Sequence, residues 1–181
     1  MRAARCGLMA AVVTGALICD LVIVLSFLPR ANAQRGGTGH GLGWQTFQVK
    51  EFGTTVDYPA IIFSEPAGEA EKGTGQRYNS ADGRSTLTIY ALENAERDTP
   101  ASYLRKNLRM PRSALGYERV TRSFFAISRE GQGTVLYSRC NFASSDGGII
   151  HCIDLVYPQG VARAWDRIVT RISHSLRPLE G

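Results

Sequence analysis

The sequence predicts an α+β fold, an antiparallel β-sheet with helices packed on it, the last being a C-terminal amphipathic helix. Three observations predict it. Short β-rich runs separated by turn residues fill the middle of the chain. Thr99-Pro100 marks the start of a central helix. Trp165, Ile168, Val169, Ile172 and Leu176 form one stripe at helical spacing near the end. Strands, a helix, more strands and a closing helix match helices packed on an antiparallel sheet.

Residues 1–33 read as a secretory signal peptide. Arg2 and Arg5 precede an apolar run from Gly7 to Leu28, broken only by Asp20. Ala31-Asn32-Ala33 then supplies small residues before a cut ahead of Gln34. The run exceeds the usual signal core of roughly 7–15 residues, and about 18 or more can cross a bilayer. An uncleaved anchor is therefore the competing reading, and the Ala-x-Ala site favours cleavage. The expected location is periplasmic or secreted.

Cleavage leaves 148 residues, enough for one domain with a sizeable core. Three arginines and one aspartate depart with the leader, so the net charge falls from +5 to +3. That is too mild for a dedicated nucleic-acid binder. Cys6 and Cys19 also depart, which leaves Cys140 and Cys152 in a compartment where disulfides persist. Residues 34–43, rich in glycine, read as a flexible tether, and residues 44–181 as a single α+β domain.

Within the domain, Trp44 to Lys50 alternates in part, with Trp44, Phe47 and Val49 apolar. Thr54 to Tyr58 is a second strand ended by Pro59. Gly68 to Gly75 is polar and glycine-rich and reads as a loop. Arg77 to Leu92 reads as a hairpin with Asp82-Gly83 at its turn and Leu87, Ile89 and Ala91 on one face. Thr99 suits a helix N-cap and Pro100 the first helical position, where a missing N–H costs nothing. Ala101, Leu104 and Leu108 mark the expected buried face of that helix, and Pro111 its end. Tyr117 to Arg129 reads as one long β-rich stretch that bends near Phe124-Phe125. Thr134 to Phe142 and Ile149 to Tyr157 are the last strands, followed by a helix from about Val161 to Leu176.

Motifs that carry chemistry are few. The sequence holds no Gly-x-Ser-x-Gly, no His-Glu-x-x-His, no P-loop and no dinucleotide fingerprint. No catalytic residue, cofactor or metal is expected. Cys140 and Cys152 are twelve apart and His151 adjoins the second, so on a strand the histidine points to the opposite face. That is not the four-ligand spacing of a structural zinc site. Cys140 with His151 as a nucleophile pair lacks an identifiable orienting group. His174 falls on the last helix and reads as a surface or boundary residue. Arg105, Lys106, Arg109 and Arg112 form a basic stripe. Arg105 and Arg109 would line one helix face. The bland reading is a solvated helix end that suits positive charge. The functional reading is contact with an acidic envelope protein, an anionic lipid or an anionic polysaccharide.

The two cysteines reduce to a question of register. A three-residue loop Ser145-Asp146-Gly147 opposes Cys140 to Cys152 and Leu136 to Val156, which suits a sheet covered on both faces. A two-residue loop Asp146-Gly147 opposes Cys140 to Ile153 and suits a sheet with one wet face. Directly opposed antiparallel residues lie about 4.5 or 5.5 Å apart, within reach of a disulfide. Export and the lack of any other mature cysteine favour the Cys140–Cys152 pair.

The order of motifs resembles the PsbP-like and DcrB-like superfamily of small exported proteins. The shared features are Val56-Asp57-Tyr58-Pro59-Ala60 followed by Phe63, the Thr99-Pro100 helix, paired late strands and the closing amphipathic helix, over roughly Phe47 to Leu179. The chain also resembles exported bacterial proteins of unknown function, and its eighteen arginines against three lysines fit a high-GC genome. The superfamily resemblance implies a sheet flanked by helices and mostly non-enzymatic roles in the envelope or on photosynthetic membranes. It carries over no catalytic residues. The function expected is an exported, periplasmic, non-enzymatic binding module. The alternatives are a hydrolase-like envelope enzyme and, if the leader stays attached, a membrane-anchored scaffold.

Overall fold

The computed structural model describes residues 41–142 and 148–178. The expected leader, residues 34–40 of the tether and the Ser145-Asp146-Gly147 turn lie outside them.

Trp44–Val49 (β1) and Thr54–Pro59 (β2) pair as an antiparallel hairpin. Glu65–Glu69 (β3), Thr74–Asn79 (β4) and Thr86–Glu93 (β5) follow as a meander. Helix Pro100–Asn107 (α1) and a short 3-10 turn at Arg112–Ala114 lead to four more strands. These are Tyr117–Val120 (β6), Phe124–Gly131 (β7), Thr134–Asn141 (β8) and Ile149–Pro158 (β9). Helix Ala162–Ser175 (α2) and the two-residue strand Arg177–Pro178 (β10) come last. The expected antiparallel sheet is a seven-stranded one in the order β3-β4-β5-β9-β8-β7-β6, and a three-stranded sheet, β1-β2-β10, accompanies it. The α+β class stands.

Both faces of the large sheet are covered, which decides the register. On one face Leu87, Ile89, Ile153, Leu155 and Tyr157 pack against Val56 and Phe63, and against Trp165, Val169 and Ile172 of α2. On the other, Tyr90, Phe125, Ile127, Ile150 and the two cysteines pack against Leu104 of α1. Cys140 therefore faces Cys152 and Leu136 faces Val156. Period-2 alternation then places apolar residues on both sides of β9, as a fully buried central strand requires.

Each helix has a local cause. Thr99 caps α1: its hydroxyl accepts the Ser102 N–H, and Ser102 returns a bond to the Thr99 backbone. The α2 stripe buries Trp165, Val169, Ile172 and Leu176, with Trp165 stacked on Tyr157 at 4.9 Å.

Three expectations need correction. Helix α1 ends at Asn107, so Pro111 does not set its end, and Ala101 is exposed while Leu104 carries the burial. Gly68 to Gly75 is not all loop, since it contains the end of β3 and the start of β4. The sheet's edge needs no apolar pattern there, so polar residues conceal the strands. Tyr117 to Arg129 is not one bent strand. The chain reverses at Arg122-Ser123, where the Thr121 N–H donates to the Phe124 carbonyl at 2.8 Å.

Candidate functional site

The residues singled out in the sequence fall in separate places. Cys140 and Cys152 form a disulfide with α-carbons 4.2 Å apart, on the α1 side of the sheet. Both thiols are consumed, so the Cys–His nucleophile reading is closed. His151 points to the opposite face, where it is buried and shares a 2.6 Å hydrogen bond with Thr54 of the small sheet. Burial pushes its pKa down. His174 is exposed on α2. Among the described residues no three metal-ligating side chains converge, and no helix is long and apolar enough to cross a membrane.

Two members of the basic stripe are already ion-paired. Lys106 is held by Asp98 at 2.6 Å and by Glu96 at 2.7 Å, which raises its pKa and lowers that of Asp98. Arg112 pairs with Glu118 at 3.2 Å. Arg109 lies beyond the end of α1, so Arg105 and Arg109 do not share a helix face.

A different site emerges on the α2 side of the sheet. Helix α2 covers the centre of the sheet, over β9, and the outer strands β6, β7 and β8 extend past it. The space between is a cleft of about 370 Å³. Its floor is a cross-strand row. Ala126 on β7 stands opposite Arg119 on β6 and opposite Arg139 on β8. All three belong to one face, because cross-strand partners share a face. Ala126 is small and buried at the bottom of the cleft, between the two long side chains.

An aromatic platform gathers the guanidinium groups. The Arg139 guanidinium carbon lies 4.3 Å from the centre of the Phe124 ring, and that of Arg119 lies 5.4 Å from it. Such contacts contribute about 0.5–1 kcal/mol each at exposed sites. Arg139 is further fixed, since its Nε donates to Asn141 at 2.9 Å and its Nη1 to Ser173 at 3.2 Å. Tyr137 shares a 2.7 Å bond with the same Ser173 hydroxyl. Burial raises the Tyr137 pKa, against the pull of Ser173 and Arg139, so the phenol stays neutral. Tyr117 stands at the β6 rim, 44% exposed, and Asp166 and His174 at the α2 rim. Neither Arg119 nor Arg139 has an ion-pair partner among the described residues. Positive charge and hydrogen-bond donors suit holding an anion, and the Phe124 face serves to hold the guanidinium groups in place.

Sequence reading missed this cleft. Its two arginines are twenty positions apart, and only the unforeseen hairpin at Arg122-Ser123 brings β6 beside β7. The one available signal was alternation, which places Tyr117 with Arg119 and Tyr137 with Arg139 on common faces.

No protein-family model matches the chain, and no curated protein sequence matches it. Among solved structures, it is similar to the solution structure of cyanobacterial PsbP (CyanoP) from Synechocystis sp. PCC 6803. The TM-score is 0.55 at 10% identity, over 82% of this chain and 99% of that one. It is also similar to the Saccharomyces cerevisiae Ran-binding protein Mog1p, with a TM-score of 0.49 at 8% identity, over 77% of this chain and 97% of that one. The likeness to cyanobacterial PsbP shows a PsbP-like fold, as the layout resemblance in the sequence implied.

Proposed function

We propose that the chain is a small, exported binding module of the periplasm, and that its ligand is an anionic group held in the cleft between β6–β8 and α2. The observation that carries the reading is the pair Arg119 and Arg139, gathered over Phe124 without a carboxylate partner among the described residues. The Arg119 guanidinium and the remaining donors of Arg139, in a half-enclosed polar cleft, form a favourable site for a carboxylate, sulfate or phosphate. Export is supported by the leader pattern and by the disulfide, a bond that persists outside the cytosol. The PsbP-like fold is compatible with a binding role and does not choose a ligand.

Two experiments test the reading. N-terminal sequencing of the exported protein should begin at Gln34, and retention of Met1 to Ala33 would make it a membrane-anchored scaffold. Amide shifts should be followed while the exported protein is titrated with a glutamate-rich peptide, a sulfated polysaccharide and anionic vesicles. At least one should give saturable shifts at Arg119, Phe124, Ala126 and Arg139 that vanish in the Arg119→Glu/Arg139→Ser variant. Shifts confined to Arg105, Lys106, Arg109 and Arg112 would move the site to α1 and contradict the proposal.

A further inference from the structure

We propose that the natural occupant of the cleft is an extended acidic peptide segment of another envelope protein, added to the large sheet as a strand beside β6. The inference rests on the reading of the cleft as an anion site and names what the anion belongs to.

The large sheet ends in two edge strands. They are β3 and β6 among the described residues. Natural sheets blunt an edge with proline, bulges or covering segments, because its unpaired N–H and C=O groups invite another strand. β3 is blunted in this way. It carries Pro66, and its register with β4 shifts between Pro66 and Glu69. β6, Tyr-Glu-Arg-Val, is short and charged, but it contains no proline, and its pairing with β7 runs without a shift from Tyr117 to Val120. Tyr117, Glu118 and Arg119 are all exposed.

The outward hydrogen-bonding groups of β6 follow from the hairpin. Thr121 is bonded to Phe124, so in the alternating antiparallel pattern Arg119 faces β7 with its backbone groups. Glu118 and Val120 then present theirs outward. An added strand would lie about 4.8 Å beyond β6. Every second side chain of that strand falls on the cleft face, in line with Tyr117 and Arg119. A glutamate there sits one strand spacing from Arg119, and its carboxylate reaches toward the guanidinium groups over Phe124. Tyr117 supplies a half-exposed ring for a neighbouring side chain, the kind of anchor that concentrates binding energy. Main-chain bonds along the edge would supply affinity and the arginines the choice of sequence, as in other strand-addition complexes. Glu118 is turned to the other face and tied to Arg112, so it does not repel a carboxylate in the cleft. Asp166 and His174 lie at the far rim, on α2.

The test measures fluorescence anisotropy of a short labelled peptide of alternating glutamate and threonine with the exported protein. Two further peptides carry N-methyl groups, one on the glutamate amides and one on the threonine amides. Methylation of the phase that faces β6 should weaken binding about tenfold or more by removing edge hydrogen bonds, while the other phase stays within about twofold. Arg119→Glu should also cost about tenfold or more. If neither methylation matters and Arg119→Glu does, strand addition is overturned and the anion site survives. If Arg119→Glu binds the parent peptide as tightly as the wild type, both readings fall. If the parent peptide fails to bind at all, the peptide proposal is overturned, and the separate titration with polysaccharide and vesicles decides the anion site.

Discussion

Arg119 and Arg139 stand two strands apart in one cross-strand row, separated by Ala126, and both place their guanidinium groups over Phe124. Their surroundings differ. Arg119 is exposed on the edge strand, whereas Arg139 is half-buried and bonded to Asn141 and Ser173. The two should therefore separate stability from binding. Arg119→Ala should change unfolding free energy by no more than about 0.5 kcal/mol. Arg139→Ala should cost about 1–2 kcal/mol, since it removes the partner of the half-buried Asn141 side-chain carbonyl and one of the two bonds to Ser173. Urea denaturation decides, and the reverse order would mean that Arg119 is the structural member of the pair.

The disulfide closes a loop between residues twelve apart on the two adjacent strands β8 and β9. Loop-closure arithmetic gives about 3 kcal/mol for a loop of that size. Reduction, or the Cys140→Ala/Cys152→Ala variant, should lower stability by roughly that amount while the strand register persists, because the two packed faces also specify it. Denaturation with and without reductant measures this. Mass analysis without reductant should find no free thiol among these two.

Acid should loosen the junction between the sheets. His151 is buried against Thr54, and burial lowers its pKa. A histidine with a depressed folded pKa contributes stability that is present above its unfolded value, about 6.5. That contribution is lost as the pH falls below that value and through the folded pKa. Melting temperature should decline below about pH 6.5, and His151→Gln should flatten the decline even if it lowers stability throughout. An unchanged slope in that variant would contradict the assignment to His151.

Asp154 predicts the opposite trend on the disulfide side of the sheet. Its carboxylate accepts a 2.5 Å hydrogen bond from Ser138 and one from Tyr90. Burial nevertheless raises its pKa, against those bonds and the charge of Lys72. A carboxyl with a raised folded pKa stabilises the fold below its unfolded value, and the benefit is lost as the pH rises through the folded value. Asp154→Asn should therefore be more stable than the wild type at neutral pH, and the gap should close below about pH 3.9. A variant that is weaker at every pH would show that the two hydrogen bonds outweigh the burial.

Residues that act locally were legible in the sequence. Thr99 and Pro100 place the start of α1, and the Trp165-to-Leu176 stripe places α2, because caps and helical spacing are short-range signals. The cysteine register stayed open between two turns, because parity alone cannot tell whether one face of a sheet or both are covered. Helix α1 on one side, with α2 and β2 on the other, supplies that fact. β3 went unseen because Glu-Pro-Ala-Gly-Glu has the composition of a turn and needs no apolar face at a sheet edge. The cleft was missed for a related reason. Arg122-Ser123 lacks the glycine or asparagine that usually marks a tight hairpin, so β6 and β7 read as one strand and Arg119 had no neighbours.

The measurement that tests the cleft most directly is crosslinking inside the native periplasm. A photoreactive aromatic residue in place of Tyr117 lies at the rim of the cleft, and one in place of Arg105 lies on α1. Position 117 should give adducts to an acidic, extended segment of an envelope protein, suppressed by Arg139→Ser, and position 105 should give none. Adducts from position 105 with none from 117, or adducts at 117 indifferent to Arg139, would contradict the cleft as the binding site.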